Sequence, residues 1–447
     1  MPDPPPGMSS GARSDQARSD DALFDRAGLG DDHPGALAWA HDLAAGLRSS
    51  GDHELARVID EDTLGRRRRV LGEDHPDTLT SAHYLAVDLS ALGEHQQARQ
   101  LGEDTLARYR RVLGEEDSLT LRSAHQLASD LRALREHEGA RRLSEDTLKR
   151  RRRSLGQDHP ATLRSAINLA VDLRALGEHQ WARVLGEDTV TRCRQVLGED
   201  HPHTLTCAHN LANDLRTLGE HEQARQLSAD TVTRCRQVLG EDHPRTLTSA
   251  HDFAGDLRAV GEYQQARALD EDTLARCRQV LGEDHPHTLS AGHSLANDLR
   301  ALGEHEQARQ LSADILTRRR RVLGQDHPDT LISANNLALD LRALGEYLLA
   351  RALDEDTLTR CRQVLGQDHP NTLTAAYNLV RDLSALGEYQ QARQLSADTL
   401  TRCQRALSHT QPETPESPNG PAGRLSTSAE HQRIRRLAEW INSQYPS

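Results

Sequence analysis

The string Leu-Gly-x-Asp-His-Pro recurs along this chain at intervals of 42 residues or, across one gap, 84. Its copies lie at 29–34, 71–76, 155–160, 197–202, 239–244, 281–286, 323–328 and 365–370. A degenerate copy, Leu113-Gly114-Glu115-Glu116-Asp117-Ser118, fills the gap in register, and the motif is lost at Leu407-Ser408-His409. Nine units of equal length without an insertion describe one supersecondary element stacked on itself. Length alone, 447 residues, would suggest roughly three globular domains. With aromatics at 3% and hydrophobics at 36%, three large aromatic-rich cores are excluded, and Leu and Ala must supply most of the buried surface.

Within a unit the apolar period is helical. After Pro328, the residues Leu331, Ala334, Leu337, Ala338, Leu341 and Leu344 form one stripe on a helix, and Gly345 then interrupts in a position suited to a left-handed C-cap. A second stripe, Ala350, Leu353, Leu358, Cys361, Val364 and Leu365, is closed by Gly366. Pro370 favours the restart of a helix. Each unit thus reads as a helix–turn–helix hairpin that is unstable alone and buries its stripes only by stacking. An Ala recurs in the second helix of all nine units (Ala56, Ala98, Ala140 and onwards to Ala392), as close helix approach requires. The turn glycine is replaced once, by Arg135, in the unit that follows the degenerate anchor, and that unit is expected to be the weakest.

The run Asn336-Leu337-Ala338, then Leu344-Gly345-Glu346-Tyr347 and Ala350, followed by the Asp-His-Pro anchor, resembles the 42-residue tetratricopeptide (TPR) repeats of kinesin light chain type. The similarity extends over about residues 20–408 and also to bacterial TPR arrays that accompany signalling ATPases or peptide-modification systems. It implies an all-α, right-handed superhelix of nine repeats whose concave surface, lined mainly by first helices, binds peptides. Two departures stand out. The apolar residue expected midway along the first helix is Asp340, with Asp88, Asp130, Asp172, Asp214, Asp256, Asp298 and Asp382 equivalent. The bulky residue expected in the second helix is small or polar, as at Gly186, Asp354 and Ser396.

The ends are different material. Residues 1–20 read as a disordered tail and 21–30 as a partial helix capping an array that runs to 408. Residues 409–427 read as a Pro/Ser/Thr/Gly-rich linker. In 428–447, Ile434, Leu437, Trp440 and Ile441 mark an amphipathic helix that either caps the array or docks a partner. No run of 18 apolar residues and no signal segment occurs, so a soluble cytoplasmic protein with no membrane partner is expected. A net charge of −13 argues against nucleic acid.

Catalytic motifs fail. Lys149 is the only lysine and has no glycine-rich loop, and neither His-Glu-x-x-His nor Cys-x-x-Cys occurs. The Gly7-Met8-Ser9-Ser10-Gly11 match to a nucleophile elbow lies in the Pro-rich tail. No enzyme activity, cofactor or metal is expected. Cys193, Cys235, Cys277, Cys361 and Cys403 share one column and read as small core hydrophobes. Of 24 histidines, His41, His83, His125, His209, His251 and His293 share a first-helix column, read as groove-lining or partly packed. Protonating all 24 would move the net charge from −13 to +11, which predicts pH-dependent association near pH 5–6. The Arg runs 66–69, 150–153 and 318–321 read as solvated faces that complement helix dipoles.

By the resemblance, two further columns face the groove. Asn168, Asn210, Asn336 and Asn378 carry amides that can bond an extended peptide backbone. Arg174, Arg216, Arg258, Arg300 and Arg342 (with Arg48 and Arg132) either clamp ligand carboxylates, complement the helix C-terminus or pair with the Asp column. The Asp column is itself expected to pair across hairpins with the second-helix arginines Arg66, Arg108 and so on to Arg402. The candidate peptide-binding set is therefore Asn168, Asn210, Asn336, Asn378, His209, His251, His293, Arg174, Arg216, Arg258, Arg300 and Arg342. The function expected is a non-catalytic scaffold binding an acidic or C-terminal peptide of a partner protein. The alternative is a regulatory sensor acting in trans on a signalling ATPase or peptide-modification enzyme.

Overall fold

The structure is a computed structural model that describes residues 32–408. The segments 1–20, 21–30, 409–427 and 428–447 singled out above lie outside the described residues, apart from the start of the array being seen from residue 32. Eighteen α-helices and no strands occur among the described residues. The chain forms two compact units, one through Ala175 and one from Leu176. The first holds α1 (Pro34–Ser49), α2 (His53–Leu71), α3 (Pro76–Ala91), α4 (His95–Val112), α5 (Ser118–Ala133), α6 (His137–Ser154) and α7 (Pro160–Ala175). The second holds α8 (His179–Leu197), α9 (Pro202–Thr217), α10 (His221–Leu239), α11 (Pro244–Ala259), α12 (Tyr263–Leu281) and α13 (Pro286–Ala301), then α14 (His305–Leu323), α15 (Pro328–Ala343), α16 (Tyr347–Val364), α17 (Pro370–Ala385) and α18 (Tyr389–Ser408). The all-α repeat of hairpins expected from the period is what the chain adopts, with odd-numbered first helices and even-numbered second helices.

Inside each unit consecutive helices pack on one another, and successive first helices also touch: α3 with α5 in the first unit, α9 with α11, α11 with α13 and α15 with α17 in the second. First helices therefore form one layer and second helices the other. The core runs between the layers. Leu106 of α4, Ala124, Leu127 and Leu131 of α5, and Ala140 of α6 make one cluster; Leu274 of α12, Ala291, Leu295 and Leu299 of α13, and Ala308 of α14 make its counterpart. Each cluster borrows a leucine from the preceding hairpin, so no hairpin closes its own core. Removing that neighbour would expose side chains whose burial contributes about 1.5–3 kcal/mol apiece.

The recurring anchor builds the joint between hairpins. Gly72 ends α2 at φ 87°, ψ 163°, a region open essentially to glycine alone. His75 then acts as N-cap of α3, its Nδ1 accepting the Asp77 N–H at 3.2 Å, with Pro76 in the first turn. In the degenerate anchor Asp117 takes over the capping, its Oδ1 accepting the Leu119 N–H at 2.8 Å, so that joint keeps its cap. The turn between the helices of a hairpin is closed by a Glu N–H reaching back five residues, as in Glu94 to Leu89 O at 2.9 Å, with Gly93 at φ 82°. Arg135 is held in the same left-handed conformation at φ 62°, where Glu136 N–H still reaches Leu131 O at 2.8 Å.

A non-glycine residue in that conformation costs about 1–2 kcal/mol. Arg135→Gly is therefore expected to stabilise the protein by about 1 kcal/mol, read as a higher urea midpoint; an unchanged or lower midpoint contradicts this account of the turn.

Candidate functional site

The first-helix layer carries the residues singled out above, and its framework is a ladder of buried ion pairs. The Asp column is buried throughout: Asp88, Asp130, Asp172, Asp256, Asp298, Asp340 and Asp382 expose nothing to solvent. A carboxylate placed there without a partner would be destabilising. Its partner is the arginine near the end of the preceding first helix. Arg132 Nε reaches Asp172 at 2.6 Å, Arg300 Nε reaches Asp340 at 2.6 Å, and Arg258 Nη1 reaches Asp298 at 3.2 Å. Arg48 pairs with Asp88 at 2.9 Å, and Arg216 and Arg342 grip Asp256 and Asp382 through Nε. The same guanidinium also donates to a main-chain carbonyl on the next first helix, as Arg342 does to Asn378 O at 3.1 Å. Of the three uses open to this arginine column, the structure shows pairing with the Asp column.

The second-helix arginines expected to pair with these aspartates do something else. Each bonds the Asp four residues earlier, and several also meet the acidic residues of the preceding anchor: Arg276 meets Asp272 at 3.0 Å and Asp242 at 2.9 Å, and Arg360 meets Asp356 at 2.9 Å and Asp326 at 2.8 Å. The arginine that reaches the buried Asp is the one forty residues earlier on the neighbouring first helix; the cross-hairpin pair exists, with a different arginine. The Arg runs are corrected in part as well. Arg67, Arg151 and Arg319, one from each run, are buried in the column that holds Tyr109 in one repeat and cysteine in the rest. Arg151 donates to Ala161 O at 3.0 Å, Ser165 Oγ at 2.8 Å and Leu121 O at 3.1 Å. Burial, with Arg164 nearby, lowers its pKa to about 10. The six cysteines are buried and unbridged, and burial pushes Cys193 and Cys361 up to about 11.

The histidine and asparagine columns meet across repeats. Asn168 Nδ2 lies 3.1 Å from His125 Nε2, and Asn336 Nδ2 lies 3.1 Å from His293 Nε2. His209 Nε2 sits 3.3 Å from Asp252, and Asn210, beside it, is half-buried. Asn378 is buried outright. Arg174 is half-buried at the end of α7. Burial lowers the pKa of His83 and His125 to about 3, helped by Arg122 and Arg48 in the first case and by Arg164, Arg151 and Arg132 in the second. Burial and nearby Arg319 and Arg300 bring His293 to about 4, and burial lowers His41 and His251 too. Protonation of all 24 histidines near pH 5–6 is corrected accordingly, because His83, His125 and His293 stay neutral there.

Two residues escaped the sequence reading. Arg122 on α5 and Arg164 on α7 share a column that elsewhere holds Ala, Thr, Ser or Ile (Ala38, Thr80, Thr206, Thr248, Ser290, Ile332, Thr374). Among the described residues neither pairs with a carboxylate, and the Nε of each is buried without an acceptor. Arg122 is propped by Tyr84, whose hydroxyl accepts from Nη1 at 3.2 Å and whose ring lies 5.3 Å from the guanidinium carbon. Arg48 covers the same ring at 4.4 Å, and His41 and His83 meet its edge at 5.1 and 5.2 Å. Their signal in the sequence was a break in a column, not a repeated type. Among the described residues no cluster of three or more His, Cys, Asp or Glu side chains could hold a metal ion, and no described helix is long and apolar enough to cross a membrane.

Stacked helical hairpins that share their cores with their neighbours define a helical-repeat protein. The tetratricopeptide repeat is matched over residues 35–111, 119–195 and 330–405 and over 204–245, 246–287 and 288–329; the chain belongs to the TPR family. Among solved structures, a putative kinesin light chain with nearly identical TPR-like repeats from Podosopora anserina is 29% identical over 45% of this chain and 95% of its own, at a TM-score of 0.42. The apo quorum sensor NprR from B. thuringiensis shares the fold at a TM-score of 0.56, with 14% identity over 82% of this chain and 98% of its own. Apo RapI does so at 0.54, with 12% identity over 82% and 98%. No curated protein matches the sequence.

Two outcomes follow from the ladder and the histidines. At the second rung Ser90 replaces the arginine, leaving buried Asp130 with His95 Nδ1 at 3.7 Å and Gln126 at 3.5 Å; burial pushes its pKa up against the hydrogen bonds of Ser90 and Gln126. Ser90→Arg is expected to supply the missing charge-assisted bond and stabilise by about 2 kcal/mol, seen in urea unfolding at pH 7; a destabilised variant contradicts the ladder. The neutral histidines act in acid: the unfolded chain takes up protons below about pH 6.5 while folded His83, His125 and His293 do not. Stability should fall by about 1.4 kcal/mol per pH unit per histidine from pH 6 towards 4. Substituting all three with Asn, the native occupant at Asn335 of that column, should flatten this limb; parallel pH profiles for the two proteins would refute it.

Proposed function

We propose that the first-helix layer is a docking groove for an extended, acidic segment of a partner protein, and that the chain is a non-catalytic scaffold. The observation that carries this reading is the pair Arg122 and Arg164: guanidinia without a carboxylate partner among the described residues, one repeat apart on first helices of a layer in which Arg48, Arg132, Arg216, Arg258, Arg300 and Arg342 are committed to the Asp column. Guanidinia held in this way suit side-chain carboxylates bidentately. Tyr84 holds the Arg122 guanidinium in place through its hydroxyl and ring.

The candidate residues divide under this reading. Asn168, Asn210 and Asn336, with His209, His251 and His293, present amide and imidazole groups along the layer for a peptide backbone. Arg174, Arg216, Arg258, Arg300 and Arg342 hold the groove's floor and set its potential, and Asn378, being buried, supports the floor from below. The fold shared with the quorum sensor NprR supports the broader class of protein or peptide ligands.

The test is fluorescence anisotropy with labelled peptides of equal length, Asp/Glu-rich or neutral. Acidic peptides are expected to bind more tightly, with affinity falling as salt rises. Arg122→Ala with Arg164→Ala should weaken them by about tenfold per arginine while leaving helix content unchanged. Equal binding of both peptides, or indifference to the double variant, would remove the proposal.

A further inference from the structure

At three rungs the ladder carries a second carboxylate. The second-helix position twelve residues after the rung arginine holds Asp60, Asp270 and Asp354, where other repeats hold Ser144, Ser228, Ser312 and Ser396 or Gly102 and Gly186. Asp60, Asp270 and Asp354 are fully buried. Arg258 Nη1 contacts both Asp270 at 2.8 Å and Asp298 at 3.2 Å. Arg342 Nη2 contacts Asp354 at 2.9 Å while its Nε holds Asp382, and Arg48 holds Asp60 and Asp88 together. One guanidinium thus serves two buried carboxyl groups, and two ionised ones would leave an uncompensated buried charge.

The serine rungs show what this position does. Ser228 Oγ donates to Asp256 Oδ2 at 2.6 Å, and Ser312 Oγ donates to Asp340 Oδ2 at 2.6 Å. At these two rungs the position supplies the column carboxylate with a donor, and an aspartate can do the same only when protonated. The oxygens left over fit this requirement. Asp270 Oδ1 and Asp298 Oδ2 are both buried without a partner, as are Asp354 Oδ1 and Asp382 Oδ2, and Asp60 Oδ1. A single proton between the members of a pair satisfies both orphans at once.

We propose that the carboxyl pairs Asp60–Asp88, Asp270–Asp298 and Asp354–Asp382 each hold one shared proton at neutral pH, so that aspartic acid does at these rungs what Ser228 and Ser312 do at theirs, and that losing these protons in alkali loosens the hairpin stacking they join. The charged groups facing the pairs are few. Asp270 meets Arg258 from α11 and Asp298 from α13; Asp354 meets Arg342 from α15 and Asp382 from α17. Asp60 meets Arg48 from α1 and Asp88 from α3, with His53 Nδ1 3.2 Å from Asp88 on its far side and Arg67 acting on the same helix. Burial, opposed by the arginine and reinforced by the second carboxyl, pushes Asp60, Asp270 and Asp354 to about 7, 8 and 9. Each pair titrates as a unit. The folded chain therefore keeps protons that the unfolded chain releases near pH 4, so stability declines as pH rises from there and the contribution is gone once the folded values are passed.

The experiment uses the full chain and two variant sets, Asp60→Ser/Asp270→Ser/Asp354→Ser and the corresponding Asn set. Infrared difference spectra of the native protein at pH 7 should show a neutral carboxylic acid C=O band that shifts in D2O and disappears between about pH 7 and 10. In either variant set that band should be largely lost. In urea unfolding, the folding constant of the native protein should fall relative to a variant set by about tenfold per pair per pH unit between pH 5 and 7. A native spectrum with no neutral-acid band at pH 7, or variants that keep the band or share the native pH slope, would overturn the proposal. Should the serine set not fold, the asparagine set and the native titration decide it.

Discussion

A buried carboxylate in each first helix from α3 onwards is the constraint around which this protein is arranged. Such a group is destabilising unless an opposite charge reaches it, and no basic residue of its own hairpin is placed to do so. The arginine comes from the hairpin before. Stacking is thereby tied to charge neutralisation as well as to apolar burial, and a hairpin displaced by one residue would lose both together. The leucine that each core borrows from its neighbour acts in the same direction. Apolar surface alone tolerates sliding, whereas a guanidinium held to a carboxylate and a main-chain carbonyl does not.

The anchor motif has several physical tasks in the space of six residues. Its glycine takes a backbone conformation closed to other residues, its histidine caps the next helix, its proline starts that helix, and its aspartate receives the arginine of the following second helix, as Asp242 receives Arg276 at 2.9 Å. These outer pairs are solvent-exposed and individually weak; their effect lies in repetition along the second-helix layer. The inner pairs are few and strong. Two electrostatic systems of different strength thus hold the two layers of helices.

Regularity and recognition occupy different residues. Where a column repeats, its side chains are absorbed in stacking; where a column breaks, a group is released or a rung is altered. Arg122 and Arg164 break a hydroxyl column and keep unsatisfied donors. Ser90 breaks the arginine column and strands Asp130. Asp60, Asp270 and Asp354 break a serine and glycine column and add carboxyl groups to already charged rungs. Near-identical repeats can build a long surface, but only such departures give one part of it a chemistry that another part lacks.

The period, the helical hairpin, its glycine turns and the buried alanine and cysteine columns were all legible in the sequence, because each depends on spacing within one or two turns of helix or on a local backbone requirement. The existence of cross-hairpin Asp–Arg pairs was legible too, since a charge on an apolar stripe demands a partner. Which arginine answers it was not: both arginine columns recur every 42 residues, and only the packing of first helix on first helix decides that the nearer one is forty residues before the aspartate. The same holds for Arg67, Arg151 and Arg319, whose place in a largely cysteine column marks them as buried but whose carbonyl and serine acceptors come from other helices, two of them for Arg67 and Arg151. The histidines are the clearest case. Their number is a property of composition, but whether they carry charge is set by burial and neighbouring guanidinia, which only the folded stack supplies.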